Sequence, residues 1–244
     1  MEIIKKPVIK LEKISFSYPG STVRILDALD LEVYARDRIG LIAPNGSGKT
    51  TLFHTIMGLC RPDAGTIEIF GRQVSTEHEF QAVRSKIGLL FQDADDQLFC
   101  PTVVDDVAFG PLNLGLSPDK ARLRAQKILS DLGIADLETA ITHRLSGGQK
   151  RLVALAAVLA MEPRVLLLDE PTAGLDNQVK ATLVKILNSL DIAHVVISHE
   201  FNFLTSVTDR VFSMENGKIL TDDEVSVHQH EHMHKLGNRP HKHI

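Results

Sequence analysis

Apolar and polar residues alternate along two segments near the start of the chain, residues 8–18 and 25–34, with the turn Pro19-Gly20-Ser21 between them. This pattern predicts a pair of antiparallel β-strands. Short apolar runs predict further strands, in a sheet that continues through the chain, at residues 66–71, 86–91, 165–168 and 195–198.

Between Asp93 and Pro163 the apolar residues follow a helical period instead. One helix is predicted to begin after Ser117, which precedes Pro118 and Asp119 as an N-cap does, and to end at Gly133. Its predicted apolar face consists of Leu123, Ile128, Leu129 and Leu132. A second helix is predicted from Leu145 through Met161. Strands that alternate with helices indicate an α/β fold with a mainly parallel sheet covered on both faces.

Polar residues directly follow four of the apolar strands: residues 46–50, Gln92, the pair Asp169 and Glu170, and His199. Ligands of parallel sheets bind outside the carboxyl ends of the strands. We therefore expect these side chains to share one site.

The first of these polar segments predicts a phosphate-binding loop, made by Ala43-Pro44-Asn45-Gly46-Ser47-Gly48-Lys49-Thr50-Thr51. The glycines let backbone N–H groups point into one concavity, the following helix adds its positive dipole end, and Lys49 supplies a charge for the outer phosphates. The hydroxyl of Thr50 is a predicted Mg²⁺ ligand. The G-x-x-x-x-G-K-[ST] pattern has glycine where this chain has Ala43, which we interpret as a change in turn geometry that keeps the phosphate contacts.

The other strand ends supply the remaining groups that phosphoryl transfer requires. Asp169 is the expected carboxylate of the Mg²⁺ site and Glu170 the general base. Gln92 is predicted to hold the metal or the water, and His199 to bind the γ-phosphate. The alternative for the acidic pair is a capping or turn role, and for a histidine at a strand end a structural one.

Composition narrows the classes of function. The chain has 244 residues, 43% of them hydrophobic and 24% charged, with a net charge of -4, so nucleic acid is not an expected partner. No apolar run reaches the length of a membrane span, and the first residues lack the apolar core of a signal peptide. Cys60 and Cys100 form no disulfide framework, which favours a reducing cytoplasm.

A second glycine-bearing helix start, Leu145-Ser146-Gly147-Gly148-Gln149-Lys150, resembles the signature motif of ABC transporter ATPase subunits. The Walker A motif of that family matches residues 43–50 and its Walker B motif residues 165–170, and the resemblance covers residues 8–220. It implies a P-loop NTPase (RecA-like) domain with a mainly parallel sheet, an antiparallel β subdomain and a helical subdomain inserted at about residues 93–162. Residues 221–244 are expected to form a separate tail.

The same resemblance implies how ATP is bound. Tyr18, which by spacing alone is more simply a partly buried strand aromatic, would stack on adenine. Two ATP molecules would lie between two subunits, a homodimer or a pair of closely related subunits, each bound by the Walker A loop of one subunit and the signature residues of the other. Those signature residues are Ser146, Gly147, Gly148 and Gln149. Ala43 and the pair Ala173-Gly174 depart from the family pattern.

Residues 91–116 resemble the segment after the Q-loop in energy-coupling-factor importers, which take up vitamins, cobalt or nickel. The resemblance implies that Asp95–Phe99 contacts transmembrane subunits, with the chain bound peripherally at the cytoplasmic face of the membrane. A solvated acidic loop is the alternative.

The tail is polar and rich in histidine. Imidazoles spaced by two and four positions can bind nickel, cobalt, copper or zinc, whereas the alternative is an incidental solvated tail. The six histidines are His228, His230, His232, His234, His241 and His243. Together with the importer resemblance they favour cobalt or nickel over a vitamin. A metal-binding or storage protein with a vestigial nucleotide fold is the alternative from another class of function.

Overall fold

The computed structural model describes residues 6–220, and these residues form ten strands and seven α-helices. The strands are β1 (Ile9–Ser17), β2 (Arg24–Val33), β3 (Arg38–Ile42), β4 (Ala64–Ile69), β5 (Arg72–Gln73), β6 (Ile87–Leu90), β7 (Val165–Asp169), β8 (Ala193–Ile197), β9 (Arg210–Glu215) and β10 (Lys218–Leu220). The helices are α1 (Lys49–Ile56), α2 (Glu77–Arg84), α3 (Val103–Asn113), α4 (Pro118–Asp131), α5 (Gly147–Leu159), α6 (Asn177–Ser189) and α7 (Phe201–Val207).

The first sheet is antiparallel, with the strand order β2-β1-β4-β5. The predicted pairing of the first two strands is confirmed, and Leu11 lies opposite Leu31. The prediction that β4 and β6 belong to one sheet is wrong. Strand β4 pairs with β1, where Leu11 also lies opposite Ile67, and the intervening α2 separates β4 from β6. Apolar alternation identifies a strand but does not reveal its partner.

The second sheet has the order β10-β9-β3-β8-β7-β6. All its neighbours run parallel except β10, which is antiparallel to β9. Strand β7 is buried along its whole length, and its alternate residues reach two different cores: Val165 and Leu167 face the core shared with α1, while Leu166 and Leu168 face the core shared with α5, α6 and α7. This confirms the predicted α/β class, a mainly parallel sheet covered on both faces beside an antiparallel sheet.

Helix α4 begins at the predicted position, but its predicted apolar face is partly wrong. Leu123 is 65% exposed, and the buried positions are Ala121, Ala125 and Leu129. Alanines allow α4 to approach α3 and α5 closely, and this contact decides which face is buried. Helix α5 begins at Gly147 rather than Leu145, because Ser146 caps it.

A histidine is fully buried in β8, at the end of the sheet away from the predicted site. The Nε2 of His194 donates a hydrogen bond to the Val207 carbonyl at 2.8 Å. Burial lowers the pKa of His194 and the charge of Arg38 adds to this, while the backbone groups of Val207 and Ile192 and the charge of Asp209 act in the opposite sense. The neutral imidazole is therefore the form that the fold stabilises.

The free energy of unfolding should consequently fall as the pH drops below about 6.5, the ordinary pKa of histidine, because the unfolded chain then binds a proton that the folded chain does not. Replacing His194 with glutamine, which keeps a neutral donor, should make this decrease smaller. Denaturant unfolding at about pH 7.5 and 5.5 measures it, with the exposed-site variant His143→Gln as control. Equal pH dependence in wild type and His194→Gln would contradict this role.

Candidate functional site

The loop between β3 and α1 has the backbone geometry of an anion-binding nest. Gly46 and Gly48 adopt φ angles of 82° and 97°, which favour glycine. A Cβ atom on Gly48 would also lie 2.7 Å from the carbonyl oxygen of Ile25, so glycine is required there by space as well. Because α1 begins at Lys49, the first N–H groups of the helix open at the end of this loop.

The Lys49 side chain lies inside the loop and is buried. Its Nζ donates to the carbonyl oxygens of Ala43 at 3.0 Å and Pro44 at 3.3 Å, and it lies 3.6 Å from Oε1 of Glu170. Ala43 is not among the residues with positive φ, so the alanine needs no glycine-like conformation. The ammonium group is therefore held at the centre of the loop without the first glycine of the pattern.

Thr50 and Asp169 meet beside this loop in a geometry that suits Mg²⁺. The Thr50 hydroxyl donates to Oδ2 of Asp169 at 2.6 Å, while Oδ1 of Asp169 is buried and has no partner among the described residues. Burial raises the pKa of Asp169, and the Thr50 hydrogen bond acts against this. Gln92 lines the same cavity of about 500 Å³. A hydroxyl, a carboxylate with a free oxygen and an amide are the oxygen donors that Mg²⁺ requires.

Glu170 lies between the lysine and the histidine. Its Oε2 is 2.9 Å from Nδ1 of His199, and its carboxylate is buried. Its φ angle of 45° is a left-handed conformation that costs free energy for a residue with a side chain and is typical of functional sites. A cavity of about 380 Å³ brings Lys49, Gln92, Glu170 and His199 together. The expected convergence of four strand ends is therefore what the structure shows.

The signature residues form the capped start of α5. Ser146 Oγ accepts from the Gln149 N–H at 3.3 Å, and the Gln149 side chain accepts from the Ser146 N–H at 2.9 Å. A Cβ on Gly147 would meet no atom within 4 Å, whereas one on Gly148 would lie 3.0 Å from the Val179 side chain. Residues 146–149 do not line either cavity beside the loop. Within one chain the start of α5 and the phosphate-binding loop therefore do not share a cavity.

Tyr18 follows the end of β1 and is 46% exposed. Its hydroxyl lies 3.1 Å from Oγ1 of Thr51, and Phe16 packs edge-on against its ring with a centroid distance of 5.0 Å. These contacts fix the ring beside the first turn of α1. Its stacking on adenine stays a prediction.

Two contacts of α5 were not predicted from the sequence. The buried guanidinium of Arg151 donates to the carbonyl oxygens of Phe91 and Gln92, and Lys150 lies 2.5 Å from Asp95. Burial lowers the pKa of Arg151, while nearby carboxylates act against this. An arginine at the border of an apolar helix indicates such a contact only weakly, because its partners are carbonyl groups that no sequence pattern identifies. The first turn of α5 thereby holds the segment after β6.

Asp95–Phe99 lies on the surface of the molecule. Phe99 is 65% exposed and packs edge-on against Phe109 at a centroid distance of 4.7 Å. The histidine-rich tail lies outside the described residues. Within residues 6–220, histidine, cysteine and carboxylate side chains form no metal-binding group of three or more, and none of the helices has the length and apolarity needed to cross a membrane.

Comparison with known proteins identifies the family. The family model described as ABC transporter matches residues 26–173. The energy-coupling factor transporter ATP-binding protein EcfA of Methanothermobacter thermautotrophicus is 39% identical over 219 residues, covering 88% of this chain and 70% of that protein. The cobalt import ATP-binding protein CbiO of Rhodobacter capsulatus is 42% identical over 222 residues, covering 88% of this chain and 78% of that protein.

A solved structure has the same fold. CbiO1 from Clostridium perfringens, part of the ABC transporter complex CbiONQ, superimposes with a TM-score of 0.78 at 34% identity, covering 89% of this chain and 88% of that one. The matched family model includes the phosphate-binding loop, the signature and the Asp169-Glu170 pair. The chain therefore belongs to the ABC transporter family as an ATP-binding subunit, an ATPase with the P-loop NTPase fold.

Proposed function

We propose that this ABC ATPase powers a membrane importer for cobalt or nickel ions, by closing as a dimer around ATP and hydrolysing it. The observation that carries the hydrolytic part is the position of Glu170, whose carboxylate faces Lys49 in the phosphate loop and contacts His199. That arrangement provides a base, a cation and an orienting group at one phosphate position.

The chemistry follows from these positions. The loop N–H groups and Lys49 bind the β- and γ-phosphates, and Thr50, Asp169 and Gln92 would hold Mg²⁺, which neutralises charge on the phosphate oxygens when bound. Glu170 accepts a proton from the water that attacks the γ-phosphorus. The bond from that phosphorus to the bridging oxygen breaks, giving ADP and phosphate. As an imidazolium, with both ring nitrogens protonated, His199 donates from Nδ1 to the Glu170 carboxylate and from its other nitrogen to the γ-phosphate.

The signature residues act on the ATP of a second subunit, a copy of this chain or a close relative. The start of α5 is a second anion-binding helix N-terminus that its own chain's cavities do not use. Head-to-tail association brings it to the phosphate loop of the partner. Two composite sites then form, and closure depends on ATP in both.

The membrane partner binds at a surface that we call the docking surface, formed by Asp95–Phe99 and Phe109. An adjacent groove of about 470 Å³ is mainly apolar and is lined by Met57, Leu59 and Met161 among others. Exposed aromatic rings beside carboxylates suit a helix that carries apolar and basic side chains. Such binding would place the chain peripherally at the cytoplasmic face of the membrane.

Cobalt or nickel is favoured as cargo by the relative named for cobalt import and by the six histidines of the tail. The relative named EcfA supports a second candidate, an energy-coupling-factor importer for a vitamin. Uptake of radiolabelled Co²⁺, Ni²⁺ and vitamins into vesicles containing the complete transporter distinguishes the two. Metal uptake that requires ATP and is lost with Glu170→Gln supports the first, whereas ATP-dependent uptake of a vitamin without metal uptake would overturn it.

Reversing the charge of Asp96 tests the docking surface. Asp96 is exposed and makes no ion pair among the described residues. Asp95 pairs with Lys150 of α5, so its replacement would also disturb the helix that carries the signature residues. Asp96→Lys should weaken association with the transmembrane subunits by about 5-fold or more, because it places a cation against a basic partner. Basal ATP hydrolysis is measured on the same samples, because Asp96 also lines the cavity that contains Thr50, Gln92 and Asp169. Affinity measured in detergent, with the exposed-site control Asp136→Lys, checks this; unchanged association would count against the docking surface.

A further inference from the structure

Glu200, the residue directly after His199, connects three segments at the edge of the sheet where Glu170 and His199 lie. Both carboxylate oxygens of Glu200 accept hydrogen bonds from Lys180 Nζ, at 2.8 and 2.7 Å, and Oε1 also accepts from the Thr172 hydroxyl at 2.8 Å. Lys180 lies in the first turn of α6, and Thr172 lies two residues after Glu170. One carboxylate therefore joins the end of β8, the end of β7 and the start of α6.

The partners of Glu200 are themselves fixed. Thr172 is fully buried, and the first turn of α6 is capped by Asp176, whose side chain accepts from the N–H groups of Gln178 and Val179. The Glu200 N–H donates to the hydroxyl of Ser198, a fully buried residue, at 3.1 Å. The backbone on both sides of His199 is thus held by buried groups.

The side chain of His199 has little packing of its own. It is 67% exposed, so its orientation depends on the bond to Glu170 and on the backbone that carries it. Burial acts to raise the pKa of Glu200, but the hydrogen bonds from Lys180 and Thr172 outweigh it and lower the pKa below its ordinary value. Glu200 is therefore ionised at neutral pH and keeps its pair with Lys180.

We propose that Glu200, held by Lys180 and Thr172, is a positioning residue for ATP hydrolysis that fixes the His199 imidazole against Glu170. This inference rests on the proposed role of Glu170 and His199 in hydrolysis. The Glu200 carboxylate bonds to Lys180 of α6 and to Thr172, and it does not line the cavity that contains Lys49, Glu170 and His199. Its influence on the reaction therefore passes through His199. A misplacement of about 1 Å in a catalytic group can cost about 100-fold in rate.

The first test compares Glu200→Gln and Lys180→Met with wild type. The glutamine keeps the size of the side chain but removes its charge, so kcat for ATP hydrolysis should fall about 10-fold or more, within the cost of misplacing a catalytic group. KM for ATP should change by less than about 2-fold, because the phosphate loop is untouched. Lys180→Arg should retain most of the activity. The control is Lys127→Met, which breaks the exposed Lys127–Asp131 pair in α4.

A purely structural role would lower activity by unfolding the protein, so two further readouts are needed. In a His199→Ala background, Glu200→Gln should lower kcat by less than about 2-fold, because its effect acts through the missing imidazole. Independently of activity, the ring nitrogen NMR signals of His199 should shift in Glu200→Gln and stay unchanged in Lys127→Met.

The outcomes distinguish the positioning role of Glu200 from the proposed role of the chain in ATP hydrolysis. Any of three results would overturn the positioning role. The first is a wild-type kcat in Glu200→Gln, and the second is an equal fold-decrease in kcat from Glu200→Gln in the wild-type and His199→Ala backgrounds. The third is an unchanged set of His199 ring signals in Glu200→Gln. If the wild-type chain with its partners hydrolysed no ATP, the proposed function would fail, and the NMR comparison would still decide whether Glu200 orients His199.

Discussion

Replacing Glu170 with glutamine should lower ATP hydrolysis by about 10²- to 10⁴-fold, the usual contribution of a general base. Glutamine has nearly the same size but cannot accept the proton from the attacking water. The carboxylate lies 3.6 Å from Lys49 and 2.9 Å from His199, so no other carboxylate is as well placed for this task among the described residues. ATP binding should persist, since the loop N–H groups and Lys49 remain.

Phosphate release and equilibrium ATP binding, measured on the same samples, separate the two effects. Glu215→Gln, at an exposed glutamate in β9, provides the control for a neutralised carboxylate. Near-normal hydrolysis in Glu170→Gln would remove Glu170 from the role of base. Loss of ATP binding instead would mean that the carboxylate organises the phosphate loop through Lys49.

Replacing Lys49 with methionine should weaken ATP binding itself, unlike Glu170→Gln, which should leave binding intact. Hydrogen bonds from a charged group contribute about 1.5–3 kcal/mol, so affinity should fall about 10- to 100-fold and hydrolysis should be lost with it. Methionine fills the space of the aliphatic stem in the buried site. The ammonium group now bonded to Ala43 and Pro44 is the group that would reach the outer phosphates.

Titration calorimetry with ATP measures this change, and unfolding of the apo protein shows whether the variant folds. The matched control is Lys86→Met, at an exposed lysine near Phe70. Wild-type affinity in Lys49→Met would contradict the assignment of the loop as the phosphate site. An unfolded variant would be resolved with Lys49→Arg, which keeps the charge but not the fit of the ammonium group.

Local patterns predicted the parts of the fold that depend on neighbouring residues in the chain. Alternation identified the β1–β2 pair, and apolar runs ending in polar residues located the four strand ends of the site. Which sheet contains β4, and that Leu123 is exposed, depend instead on tertiary packing. Propensity and period carry no information about that packing.

The residues of the candidate site likewise fall into those that local patterns predict and those that depend on tertiary packing. Residues with a distinctive motif, such as Lys49 and Glu170, were predicted together. Arg151 and Glu200 were missed because their partners are backbone carbonyls, or side chains distant in the sequence. The roles given to Tyr18 and Ser146 came from a family resemblance, since the spacing of these residues does not show that a second subunit or an adenine ring is involved.

The most direct test of the composite ATP site is the molecular mass in solution of the Glu170→Gln chain with Mg²⁺ and ATP, compared with ADP and with the double variant that adds Gly147→Asp. A side chain at Gly147 meets no atom of its own chain within 4 Å, and an aspartate suits the first turn of a helix, so the monomer should fold normally. Its charge would face the phosphates of ATP bound to the second copy. We predict a dimer with ATP, a monomer with ADP, and a monomer in the double variant. A chain that binds ATP and stays monomeric, or a dimer that forms equally with Gly147→Asp, would contradict ATP binding between the phosphate loop of one copy and the signature of another.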